Sequence, residues 1–101
     1  MQFNKLVRDN IPDIIVKNGR VPIMHIAEIE EFEQALLKKL REEVDEYIEN
    51  PTEEEMADIL EVLYSIYQVK GYEPEELEKK RKEKLKIRGG FIKRIILDKT
   101  E

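Results

Sequence analysis

Two carboxylate pairs at helical spacing carry the chemistry of this sequence: Glu43-x-x-Glu46 and Glu55-x-x-Asp58, separated by a break at Asn50-Pro51. Residues three apart lie on the same side of a helix. If each pair occupies one arm of an antiparallel hairpin, the pairs can face each other and converge four carboxylates on one point. Hard divalent cations take oxygen ligands of that kind, Mg²⁺ above all, with Mn²⁺ a workable substitute. Glu43, Glu46, Glu55 and Asp58 are therefore the candidate metal ligands.

The elements that must position them can be read along the chain. Asn10-Ile11-Pro12-Asp13 opens a short helix, and Asn18-Gly19 should close it, with Gly at the terminating position. Residues 21–27 are a brief apolar stretch containing Pro22, readable as an edge strand. Residues 28–49 form a long amphipathic helix whose stripe is Ile29, Phe32, Leu36, Leu40, Val44 and Tyr47. After Asn50-Pro51, Thr52 is a good N-cap for a helix running to about Lys70 and stopping at Gly71. Ten of the fourteen residues from 56 to 69 are apolar, spread over most of the circumference, which predicts a central, buried helix. Pro74 starts a fourth helix rich in Glu, Lys and Arg, and Gly89-Gly90 ends it. Residues 91–97 (FIKRIIL) have the β-branched content of a short strand. The expected fold is mainly α, a helical bundle, with a short two-stranded element if 21–27 pairs with 91–97.

On a helical wheel at about 100° per residue, Glu43 falls inside the apolar arc from Phe32 through Leu36 and Leu40 to Val44. Glu46 lies at its margin. Glu55 lies within the broad apolar arc of the next helix, and Asp58 at its edge. A carboxylate turned toward a core costs several kcal/mol unless it is paired or metal-bound. Blander explanations compete. Glu is the commonest exposed helix residue here, so E-x-x-E arises readily by chance, and Glu33 also falls in an apolar arc. Thr52-x-x-Glu55 fits a capping box, in which Glu55 would serve a helix N-terminus.

The cations give a second signal. Lys80, Arg81, Lys84 and Arg88 share a face of the fourth helix with Leu77, where they could meet phosphates or simply pair with surface Glu. Lys5 and Arg8 precede the first helix and could serve phosphates in the same way. His25, in its short apolar stretch, reads as structural. Tyr64 and Tyr67 read as core, and Gly89-Gly90 lacks the spacing of a phosphate-binding loop.

Bulk composition limits the alternatives. At 101 residues this is one small domain, of a size that often gains burial by oligomerising. Hydrophobic and charged residues each make up 41%, a balance that fits a helical globular protein rather than a disordered one. No cysteine is present, which excludes disulfides, thiolate metal sites and Cys nucleophiles. The net charge of -5 argues against a sequence-independent nucleic-acid binder. No apolar run is long enough to span a bilayer and no signal-peptide core is present, so a cytoplasmic protein is the expectation.

KLREEVDEYIE followed by EEEMADILEVLYSIY resembles the E-E-x-x-E … E-x-x-D signature of the all-α nucleoside triphosphate pyrophosphohydrolases, the MazG-like and phosphoribosyl-ATP pyrophosphohydrolase-like proteins. The opening FNKLVRDNIPDII and the closing RGGFIKRIIL are similar to the ends of a compact MazG-like branch, so the likeness covers nearly the whole chain. The resemblance implies a helical bundle assembling as a homodimer or homotetramer, with Mg²⁺ at the carboxylate cluster. It also implies cleavage of the α–β phosphoanhydride to a nucleoside monophosphate and pyrophosphate. Carried over by position, Glu43, Glu46, Glu55 and Asp58 match the metal ligands, and Glu42 matches the extra acid. Lys39 stands where the family often has a basic residue.

Glu42 or Glu46 could accept the proton of the attacking water. Lys5, Arg8, Lys39, Lys84 and Arg88 are the candidate substrate-binding cations, neutralising charge on departing pyrophosphate. A house-cleaning enzyme for unwanted triphosphates is the first expectation. A phosphoribosyl-ATP pyrophosphohydrolase is the alternative within the class, and a non-catalytic acidic helical interaction module the alternative outside it.

Overall fold

Four helices form in the computed structural model, which describes residues 4–101: α1 (Ile11–Lys17), α2 (Ile29–Glu49), α3 (Glu53–Lys70) and α4 (Pro74–Arg88). Their ends follow the local chemistry closely. Pro12 occupies the first turn of α1, where its missing N–H is not needed. At the other end of α1 the Arg20 N–H donates to the Ile15 carbonyl at 3.1 Å and the Gly19 N–H to Val16 at 3.0 Å. This closure requires the left-handed φ of +79° that Gly19 adopts at no steric cost.

The chain divides into two compact units, Met1–Lys70 and Gly71–Glu101. In the first, α2 and α3 pack as an antiparallel hairpin across a three-residue connection. The register is pinned at the far end by the ion pair between Lys70 Nζ and Glu33 Oε2 at 3.2 Å. Leu36 at 2% exposure and Val62 at 7% form the apolar centre of the hairpin. Glu33 thus has a partner for its position near the apolar arc.

Two expectations are corrected. No strand forms among the described residues, so the two-stranded element of 21–27 with 91–97 is absent. Strand propensity is realised only when a backbone ladder pairs with it, and both segments are instead irregular, with Ile23 at 99% and Phe91 at 97% exposure. The central helix, too, is less covered than its composition predicts. Met56, Leu60 and Tyr64 of α3 are exposed, as are Leu37, Val44 and Ile48 of α2. Within the first unit α2 is the one helix packed extensively on α3, and one neighbour covers only part of a helix circumference.

In the second unit, α4 has no buried residue. Arg81 pairs with Glu78 one turn back, the surface pairing expected of a helix so dense in charge, and this holds the Glu78 carboxyl below its ordinary value. No helix among the described residues is long and apolar enough to cross a membrane.

Candidate metal centre

Thr52 begins the site. Its hydroxyl accepts the Glu55 N–H at 3.2 Å, capping α3 as the sequence predicts. The reciprocal half of a capping box is not made. Glu55 Oε2 is buried with no hydrogen-bond partner, so this carboxylate is not used in capping. It is carried instead toward α2, where it meets Glu43.

Glu43 is the hub. It is 6% exposed, the one charged residue buried among the described residues, and its Oε2 has no hydrogen-bond partner. Oxygens of Glu43, Glu55 and Asp58 lie within 4.8 Å of one another, and so do oxygens of Glu42, Glu43 and Glu46. The four predicted ligands are thus gathered as two overlapping triads joined at Glu43, rather than as one set of four. Glu46 sits on the exposed side, in the triad with Glu42, and not in the one with Glu55 and Asp58. Glu46 lies about 60° around the helix from Glu43, so the two do not turn equally far toward α3.

Burial raises the Glu43 carboxyl above its ordinary value, and the neighbouring Glu46 carboxylate adds to the effect. Lys39, one turn back on α2, opposes it. The Lys39 ammonium lies 3.3 Å from Glu43 Oε1 and 3.5 Å from Glu42 Oε1, with its side chain only 17% exposed. One cation therefore serves two carboxylates, and the acidic group stays under-compensated.

Two further cations come from the segment before α1. Lys5 Nζ reaches Glu42 Oε1 at 3.4 Å, and Arg8 Nη2 donates to Asp58 Oδ1 at 2.7 Å. Fifty residues separate Arg8 from Asp58, so no spacing argument could have paired them. Lys84 and Arg88 lie exposed on α4, in the second unit.

A cavity of about 500 Å³ opens beside Glu43 and Asp58. Arg8, Lys39 and Ser65 give it polar groups, while Phe32, Ile11 and Ile14 give it an apolar side. Phe32 and Ser65 were not candidates from the sequence. Phe32 reads as an ordinary member of the α2 stripe, and Ser65 as a helix serine. Ser65 in fact donates to the Glu61 carbonyl at 3.1 Å, and no sequence signal marks it out.

Comparison with protein-family models, with curated proteins and with solved structures returns no match.

His25 Nε2 meets both Glu31 oxygens at 2.9 and 3.0 Å in an exposed contact between the 21–27 segment and the start of α2. Tyr64 and Tyr67 meet edge to face with centroids 5.8 Å apart, although Tyr64 is half exposed rather than core.

Proposed function

We propose that this protein is a Mg²⁺-dependent nucleoside triphosphate pyrophosphohydrolase of the MazG-like kind, cleaving the α–β phosphoanhydride. The observation that carries the reading is Glu43, a buried carboxylate with an unpartnered oxygen at the junction of two acidic triads. Such a group is costly to keep without compensation. An all-oxygen donor set with two uncommitted buried oxygens suits a hard divalent cation, and Glu43, Glu55 and Asp58 are the residues that would hold it. Mg²⁺ bound there supplies charge neutralisation for a polyphosphate and a lowered pKa for a coordinated water.

The chain's own residues account for the rest. Water adds to the α-phosphorus, the bond from that phosphorus to the bridging oxygen breaks, and pyrophosphate leaves with that oxygen. Of the two candidate bases, Glu42 shares its Oε1 with Lys5 and Lys39, whereas Glu46 has no cation paired with it among the described residues. Glu46 is therefore the freer carboxylate to take the proton. Lys39 and Arg8, both lining the cavity, face the charge that develops on the leaving group. Phe32 and the neighbouring isoleucines offer an apolar wall against which a nucleobase can lie.

The exposed apolar residues of the hairpin, Leu37, Val44 and Ile48 on one helix and Met56, Leu60 and Tyr64 on the other, support a homodimer or homotetramer, and a cytoplasmic enzyme is the setting proposed. The same residues favour the second reading, a helical interaction module without catalysis.

Pyrophosphate release from a panel of standard and modified nucleoside triphosphates, with Mg²⁺ and with chelator, separates the two. Mg²⁺-dependent release with matching monophosphate supports the enzyme. Silence across the panel and with phosphoribosyl-ATP leaves the interaction module.

A further inference from the structure

We propose that Arg8 is a built-in substitute for the metal's charge: it holds Asp58 in the free protein and transfers to the substrate's phosphates when metal and nucleotide arrive. The inference rests on the metal reading above and adds to it a competition within the site.

Asp58 belongs to the triad with Glu43 and Glu55, yet its Oδ1 already accepts a 2.7 Å bond from the Arg8 guanidinium. A divalent cation on the same carboxylate and a guanidinium touching it repel each other. One must yield. Arg8 is the group built to do so. Its side chain is 58% exposed, so its ion pair is in contact with water and is weak. It sits on the non-helical segment before α1, where its carbonyl accepts the Ile11 N–H at 3.0 Å, so the exchange is a movement of the exposed side chain alone. The same residue lines the 500 Å³ cavity beside the carboxylates, so a short swing of the side chain keeps it in the site. A guanidinium is also better suited than an ammonium to a phosphate, because its planar fork matches two oxygens at once.

Lys39 does not share this freedom. Its ammonium is mostly buried between Glu42 and Glu43 and stays with them. The two cations thus divide the work, Lys39 as a fixed counter-charge and Arg8 as an exchangeable one.

The consequence is a reversal of sign that an ordinary substrate-binding arginine would not produce. Removing Arg8 frees Asp58 for metal but deprives the polyphosphate of its fork. Mn²⁺ binding, followed by the loss of the free-ion electron paramagnetic resonance signal, is compared in wild type, Arg8→Ala, Arg8→Lys and Lys70→Ala. The last removes a cation paired with Glu33 at the far end of the hairpin. Inorganic triphosphate binding is then measured by calorimetry with Mn²⁺ saturating.

The expected result is that Arg8→Ala binds Mn²⁺ about two- to five-fold tighter than wild type and triphosphate roughly tenfold weaker. Lys70→Ala should match wild type in both, and Arg8→Lys should fall between the two on triphosphate. Arg8→Ala with unchanged or weaker Mn²⁺ binding, or with unchanged triphosphate binding, overturns the exchange while leaving the metal site standing. A wild-type chain that binds no Mn²⁺ overturns the metal reading and the exchange together.

Discussion

The Thr52 hydroxyl accepts the Glu55 amide at 3.2 Å while Oε2 of the Glu55 carboxylate, at the far end of the same residue, remains buried with no hydrogen-bond partner. Capping and chemistry are thereby divided between two residues. Thr52→Ala should cost about 1 kcal/mol of stability through the lost cap and leave turnover largely intact. Glu55→Gln should abolish turnover and leave the melting temperature equal to or above wild type, because an uncompensated carboxylate has been neutralised. Thermal unfolding and a pyrophosphate assay on the same two preparations check both.

Lys39 is the main compensation for Glu43. Removing it leaves a carboxylate of 8% side-chain exposure facing Glu46 and Glu55 without a counter-ion. Lys39→Met should therefore destabilise the metal-free protein by roughly 3 kcal/mol, and adding Glu43→Gln should restore most of the loss. A double-mutant cycle in urea measures the coupling. Additive losses would mean that the pair is not coupled.

The raised pKa of Glu43 fixes a pH dependence. Its folded-state value lies above the ordinary 4.5, through burial first and the neighbouring Glu46 second. The folded state therefore holds this proton more tightly than the unfolded chain. Its contribution to stability is complete below pH 4.5 and is lost as pH rises through the folded-state value. Metal needs the carboxylate deprotonated, so the gain in melting temperature on adding Mg²⁺ should grow across that same window. Glu43→Gln should flatten both trends, measured by unfolding scans from pH 4 to 8 with chelator or with Mg²⁺.

The sequence made the helices readable because their punctuation is local: Pro12 and Gly19 around α1, Asn50-Pro51 and Thr52 between α2 and α3, Gly71 and Pro74 before α4. Glu43 was legible for a related reason, since a 100° wheel needs only neighbours within two turns. What was not legible depends on distant chain. Residues 91–97 have strand-forming side chains, but a strand exists only with a partner, and none is present among the described residues. The pairing of Arg8 with Asp58 and of Lys5 with Glu42 is set by how the leading segment crosses the hairpin. The wheel put Glu43 inside the apolar arc and Glu46 at its margin, and the burial of the two residues follows the same order.

The exposed apolar residues of the hairpin give a prediction about assembly. Leu60 and Leu37, at 44% and 52% exposure, should lie in the contact between copies. Leu37→Glu with Leu60→Glu should shift the protein to a smaller species in sedimentation, since a charge buried in an apolar contact is strongly unfavourable. Leu36→Ala, at the buried centre of the hairpin, should instead cost about 2–5 kcal/mol of stability in whatever assembly forms.

The proposed metal site for cleaving the α–β bond lies at the carboxylates around Glu43. Phosphorus NMR of the reaction with a responsive nucleoside triphosphate and Mg²⁺ tests it most directly, with wild type beside a folded Glu43→Gln variant. Equal amounts of monophosphate and pyrophosphate are expected from wild type and no products from the variant. Release of inorganic phosphate with a nucleoside diphosphate, or full turnover by Glu43→Gln, would contradict it.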